Sequence, residues 1–260
     1  MAILTSYNPL DRSLVGTVTI TPPEEIPELV ERSRSAQAEW SGLGLKGRAA
    51  LLGKAAPRLG REAEPLGRLI TQEMGKPLKE GIGEVRGIAS GLKGEIKEIS
   101  EALAPETLKQ GPVRSEVHHD PFGVCAAITP WNFPVAMPHW MILPALVAGN
   151  TVVFKPSEET PISGQTYAEI LGEHLPNDVL IVVQGADAQG KALVAADVDL
   201  VAFTGSREVG KHILRSASGD LKRVILELGG KDPMIVLDDA DLEEAARFAS
   251  FNGFRNAGQV

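Results

Sequence analysis

The stretch GVCAAITPWNFP, residues 123–134, is a run of small apolar residues that stops at a proline. Gly123 to Ile128 carries no charge, which suits a strand covered on both faces, and Pro130 cannot continue a hydrogen-bonded ladder. Outward from it the same pattern recurs. Apolar strands are expected at Thr151 to Phe154, Val179 to Val183, Leu200 to Phe203 and Val224 to Leu228, with amphipathic helical stretches between them. Near-continuous apolar strands alternating with helices predict a parallel sheet with helices on both faces, an α/β architecture of nucleotide-binding type.

Upstream of Phe122 the texture is helical. After a short strand from Leu14 to Ile20, Thr21 reads as the cap of a helix whose first turn holds Pro23, Glu24 and Glu25 and which runs to about Trp40. From Lys46 to about Leu103 the helical spacing continues. Pro57 and Pro65 should kink or restart it and Gly75 should end a segment, and three helices are expected. Gly53, Gly60 and Gly67 recur every seventh residue and read as a face that tolerates close contact or exposure. Val113 to His119 alternates like an edge strand and could pair with another subunit.

Composition narrows the function classes. The 260 residues include 26 basic and 34 acidic side chains, a formal charge of −8 that disfavours a nucleic-acid partner. The single cysteine, Cys125, excludes an intrachain disulfide and fits a reducing compartment. Neither a secretory leader nor a membrane-spanning run is apparent, so a cytoplasmic protein is expected.

Two glycine patterns are decoys. Gly42 to Gly47 has the form GxGxxG but follows a polar helix rather than a strand, so it reads as a helix–helix loop. Gly205 to Lys211 has the form of a phosphate loop, yet His212 stands where a magnesium-binding hydroxyl is needed, leaving an NTPase as the weaker reading. The geometry that survives is a strand ending in Phe203, Thr204, Gly205 and Ser206, then a helix whose N-terminus suits a phosphate.

Four further positions carry possible chemistry. Asn132 follows a strand's carboxyl end, where a carboxamide can donate to a developing oxyanion; a turn-forming Asn is the plain alternative. Phe133, Met137 and Trp140 form a stripe that belongs to a core or a pocket. Lys155 and Glu158 could bond ribose hydroxyls or form a solvated pair. Glu227 ends an apolar strand, so partial burial would make it a general base and an ion pair with Lys231 or Arg223 would make it structural. A Cys125/His hydrolase would need an exposed thiol, which a mid-strand position does not offer.

Taken together, ITPWNFP at 128–134, FKPSEETP at 154–161, FTGS at 203–206 and ELGGKDP at 227–233 resemble the aldehyde dehydrogenase superfamily, as do EMGKP at 73–77 and NAGQV at 256–260. The resemblance implies a Rossmann-like NAD-binding domain from residues 1–110 and 123–226, an oligomerisation arm at 111–122, and the start of a catalytic domain at 227–260. It implies that Asn132 donates to the oxyanion and that Glu227 activates water. Cofactor contacts would run through Ile128, Thr129, Pro130, Trp131, Lys155, Glu158, Phe203, Thr204, Gly205, Ser206, Val209 and Leu228, and Phe133, Met137 and Trp140 would line the aldehyde tunnel. A carboxylate at Glu158 would repel a 2′-phosphate, so NAD is expected over NADP.

The same resemblance implies a homo-oligomer oxidising a small aldehyde without a metal. Trp140 stands where the succinate-semialdehyde branch usually carries an arginine, favouring an apolar or aromatic aldehyde. The family's nucleophilic cysteine comes after the NAGQV segment, and the sequence ends at Val260, so this chain is expected to be inactive alone. A non-catalytic nucleotide-binding or interaction module is the alternative.

Overall fold

The computed structural model describes residues 2–260. An antiparallel pair, β1 (Ile3–Tyr7) and β2 (Leu14–Thr19), precedes the helices α1 (Ile26–Gly42), α2 (Gly44–Leu52), α3 (Ala56–Arg61), α4 (Ala63–Met74) and α5 (Leu78–Ala102). An exposed hairpin, β3 (Glu106–Gln110) and β4 (Val113–Val117), comes next. The α/β part then runs β5 (Val124–Ile128), α6 (Ala136–Ala148), β6 (Thr151–Lys155), α7 (Pro161–Gly172), β7 (Leu180–Val182), α8 (Asp187–Ala195), β8 (Leu200–Gly205), α9 (Arg207–Ser218), β9 (Arg223–Leu228) and α10 (Leu242–Phe254).

The five later strands form one parallel sheet in the order β7-β6-β5-β8-β9. Both faces of β5 are buried, as its uncharged sequence requires. Val124, Ala126 and Ile128 pack with Ile26, Val30, Val201 and Ile213, while Cys125 and Ala127 pack with Trp40, Leu66, Ile142 and Tyr167 on the opposite face. That strict alternation reflects the two-residue strand period. Each fully buried Leu, Ile or Val contributes about 1.5–3 kcal/mol of transfer free energy.

The helical part differs from the sequence expectation in two places. Thr21 caps no helix; its hydroxyl accepts the Gln184 N–H at 3.1 Å, so it ties the entry to α1 to the end of β7. Four helices rather than three fill residues 44–102, because Pro57 and Pro65 each open a new helix, where their missing N–H is harmless. Gly75, at φ +83°, ends α4 as expected. Gly67 explains one of the heptad glycines: a β-carbon there would lie 2.6 Å from the Ile82 Cα, so its absence lets α4 and α5 cross closely. Gly53 and Gly60 face open space.

The loop expected at 42–47 is reduced to Leu43: Gly42 ends α1 and Gly44 to Gly47 form the first turn of α2, so the GxGxxG pattern joins two helices with no strand before it. The Val113 strand pairs with β3, a strand the sequence did not announce, and its residues are exposed throughout. Among the described residues, no helix is long and apolar enough to cross a membrane.

Candidate functional site

From β5 the chain crosses first to β6 and later to β8 on the other side, so the sheet reverses its winding there. Such a switch opens a crevice beyond the carboxyl ends of the adjacent strands. Ile128 sits beside Lys155 of β6 and Phe203 of β8 in the strand register. Thr129 and Thr204 come directly after, and each buries a hydroxyl oxygen with no hydrogen-bond partner. Two orphaned buried hydroxyls at the ends of neighbouring strands are costly unless a ligand meets them.

The rim is built from the flanking loops. Ser206 caps α9, its Oγ accepting the Val209 N–H at 3.3 Å, and directs the positive end of that helix toward the crevice. Val209 and Leu228 are exposed, and Leu228 rests on Gly210, where a β-carbon would come within 2.6 Å of its Cδ2. Pro130 and Trp131 are half-buried on the opposite side, Trp131 packing against the core.

Lys155 is buried, its Nζ donating to the Pro156 and Gly185 carbonyls at 2.8 and 2.9 Å and lying 3.3 Å from Glu158 Oε2. Burial pushes the Lys155 pKa down, and the Glu158 charge opposes that shift. Glu158 itself is exposed.

Asn132 lies in the loop between β5 and α6. Its Nδ2 donates to the Gln259 carbonyl at 2.9 Å, while Asn256 Nδ2 donates to the carbonyls of Asn132 and Gln259, both at 2.8 Å. Asn256 is buried at φ +54°, a conformation Asn tolerates better than most residues, and its N–H donates to Glu80 Oε2 at 2.7 Å. These bonds bring residues 256–259 against the Asn132 loop.

The same loop is braced from below. Glu84 Oε1 accepts the N–H groups of Val135 and Ala136, each at 2.9 Å, and Glu84 Oε2 pairs with Lys76, whose Nζ stands 4.4 Å from the centre of the Phe133 ring. Beside it is a cavity of about 400 Å³ lined by Lys76, Glu80, Glu84, Phe133, Trp140 and Asn256 among others.

Two sequence expectations change here. Met137 does not join Phe133 and Trp140 in lining that cavity, although its N–H donates to the Phe133 carbonyl at 3.0 Å in the turn that leads into α6. Glu227 is neither buried nor ion-paired with Lys231 or Arg223 among the described residues; β9 is the edge strand, so its apolar run does not signal burial. Sequence reasoning missed Glu80, Lys76, Glu84 and Asn256. The EMGKP and NAGQV segments contain two of them, but nothing local assigns a partner on a distant element.

Comparison with known proteins gives a consistent result. The model of the aldehyde dehydrogenase family matches residues 2–260. A betaine aldehyde dehydrogenase of Bacillus subtilis is 38% identical over 97% of this chain and 53% of its own length. A succinate-semialdehyde dehydrogenase [NADP(+)] of Escherichia coli is also 38% identical, again over 97% of this chain and 53% of its own length. The crystal structure of an E. coli NADP-dependent enzyme superposes with a TM-score of 0.94 at 37% identity, covering all of this chain and 55% of the other. The chain therefore spans about half the length of the curated relatives it matches.

The NAD preference drawn from Glu158 does not stand. Several relatives at this level of identity are named for NADP dependence, and in the structure the Glu158 carboxylate is exposed and partly neutralised by Lys155. Screening by water and by an adjacent cation removes most of the repulsion that the expectation relied on. With the sheet order, the crevice and the match across residues 2–260 in agreement, the chain belongs to the aldehyde dehydrogenase family.

Proposed function

We propose that this chain supplies the cofactor crevice and the oxyanion donor of an enzyme that oxidises a small aldehyde with a nicotinamide dinucleotide, NADP included. The observation that carries the reading is the pair of buried, unpartnered hydroxyls on Thr129 and Thr204 at the switch point of the sheet. With Ile128, Phe203, Gly205, Ser206 and the α9 N-terminus, they would hold the dinucleotide, Lys155 and Glu158 meeting its ribose and Val209 and Leu228 its outer edge. A dinucleotide held there would supply the hydride acceptor for aldehyde oxidation.

The chain's own residues do the rest. Asn132 Nδ2 exchanges its bond to the Gln259 carbonyl for one to the oxygen on which charge develops. Glu227, open to solvent, orients a water and takes its proton. Phe133 and Trp140 exclude water from the aldehyde. Residues 227–260 belong to a catalytic domain, and the exposed hairpin around 111–122 joins subunits of a homo-oligomer.

The only thiol in the sequence is Cys125, buried in β5 with its pKa pushed up to about 12 by burial. The 260 residues alone therefore bind cofactor without turning over aldehyde. Calorimetric titration with NADP and NAD tests the reading. Thr204→Val should weaken NADP by about fivefold through the lost hydroxyl. A folded chain that binds neither dinucleotide would sink the proposal.

A further inference from the structure

The central sheet is closed at one edge and open at the other. At the β7 edge the strand is three residues long, and Thr21 exchanges two hydrogen bonds with the Gln184 backbone just beyond it, at 2.9 and 3.1 Å. At the other edge β9 runs for six residues with no strand on its outer side among the described residues. Natural sheets protect such an edge with proline, a bulge or a row of like charges. RVILEL contains no proline, keeps an unbroken register with β8 from Arg223 to Leu228, and carries one charge of each sign.

The first bond of the strand sets the direction of its backbone groups. The Arg223 N–H donates to the Asp199 carbonyl at the foot of β8, at 3.0 Å. With a period of two, Arg223, Ile225 and Glu227 turn their N–H and C=O groups toward β8, and Val224, Leu226 and Leu228 turn theirs outward. The side chains alternate across the sheet in the same way: Val224 and Leu226 pack against the core, whereas Arg223, Ile225 and Glu227 are exposed on the bare face. There Arg223 lies 5.8 Å from the centre of the exposed Phe122 ring. Arg223 and Glu227 are about 13 Å apart along the extended chain, too far to meet within one copy, and neither is in an ion pair among the described residues.

We infer that β9 pairs antiparallel with β9 of a second copy of this chain about a two-fold axis at Ile225, joining two five-stranded sheets into one. Because the outward groups lie on the even-numbered residues of both copies, hydrogen bonds form only where even faces even, and a symmetric register must be centred on a residue. Centred on Val224, Arg223 would face Ile225; centred on Leu226, Glu227 would face Ile225; centred on Glu227, two carboxylates would collide. Centred on Ile225, Val224 and Leu226 exchange hydrogen bonds, Ile225 meets its own copy, and Arg223 faces Glu227 twice by symmetry. The opposed positions 223, 225 and 227 are then the non-hydrogen-bonded kind, in which side chains approach most closely.

This pairing goes beyond the proposed function and does not depend on it. The hairpin at 111–122 takes no part in the contact, and the cofactor crevice lies at the carboxyl ends of the strands rather than along the β9 edge. The paired form covers Glu227, so pairing and the orienting of a water by that carboxylate exclude one another.

Sedimentation equilibrium of the 260-residue chain should show its mass doubling as concentration rises. Arg223→Glu sets like charges opposite one another at both ends of the contact and should weaken the dimer about tenfold; Arg223→Glu combined with Glu227→Arg should restore it. Both side chains are exposed, so these variants should keep the fold, which circular dichroism checks. The register is read by Ile225→Cys, whose two facing thiols diamide should oxidise to one disulfide between copies. Val224→Cys, on the other face and opposite Leu226, should not cross-link, and the buried Cys125 gives no background. A monomer at every concentration, a dimer indifferent to Arg223→Glu, a double variant as weak as the single one, or equal cross-linking at 224 and 225 overturns the inference.

Discussion

Glu73, on α4, accepts the Ser163 N–H at 2.7 Å with Oε2 and the Ile162 N–H at 3.1 Å with Oε1, so a buried carboxylate from one helix caps the N-terminus of α7, 89 to 90 residues later in the chain. Burial pushes its pKa up, and the bonds around Ser163 and Ile162 only partly oppose this. A raised carboxyl pKa means the folded chain holds a proton that the unfolded chain has released. The contribution is therefore full below the unfolded value and is lost as pH rises through the folded one. Glu73→Gln, neutral at every pH, should lose ground to wild type at acidic pH and recover it toward neutrality. Glu73→Ala should cost about 1–3 kcal/mol by leaving two amides unpaired. Urea unfolding from pH 4 upward measures both; a pH-independent difference for Glu73→Gln would contradict the sign.

Gly67 and Gly60 should respond oppositely to alanine. At Gly67 the new methyl meets the Ile82 backbone at 2.6 Å, an overpacking that costs about 1–3 kcal/mol. At Gly60 nothing lies within 4 Å, so the gain in helix propensity should stabilise by up to about 1 kcal/mol. Denaturation midpoints of the two variants should move in opposite directions.

His139 should make the fold acid-sensitive. Burial lowers its pKa, the Glu95 charge opposing, so the stabilising neutral form is intact above the unfolded value near ~6.5 and is lost as pH falls. His139→Gln should flatten the stability slope on the acid side of that value. Tyr167→Phe should cost about 1–3 kcal/mol at neutral pH by leaving Nδ1 without its donor. Chemical denaturation across that range reads both effects.

Cys125 should be inert while the sheet is intact. With the thiol buried and its pKa pushed up to about 12, a disulfide reagent should label it only through unfolding. Labelling in native buffer at the rate seen in urea would show that β5 is not buried.

Legibility in the sequence tracked burial. The strands β5, β6 and β8 are covered on both faces, and their unbroken apolar runs announce them. β3 lies in an exposed hairpin, so ETLKQ carries no such signal. Thr21 looks like a cap because the local pattern cannot contain its partner, Gln184, 163 residues away. The place of Asn132 after a strand is visible locally, but its bond to Gln259 joins residues 127 apart. Glu227 misled because an apolar run at a sheet edge, with Ile225 49% exposed, does not bury the residues at its end.

The bond between Glu80 and the Asn256 N–H spans 176 residues. At a synthesis rate of about 5–20 residues per second, Glu80 is added roughly 9–35 s before Asn256, its partner across the cavity wall. The β5–β6–β8 sheet can form in that interval, because all its strands precede residue 206. The strands of the crevice are thus all made before the segment that closes the cavity beside Asn132, which can dock onto them as it emerges.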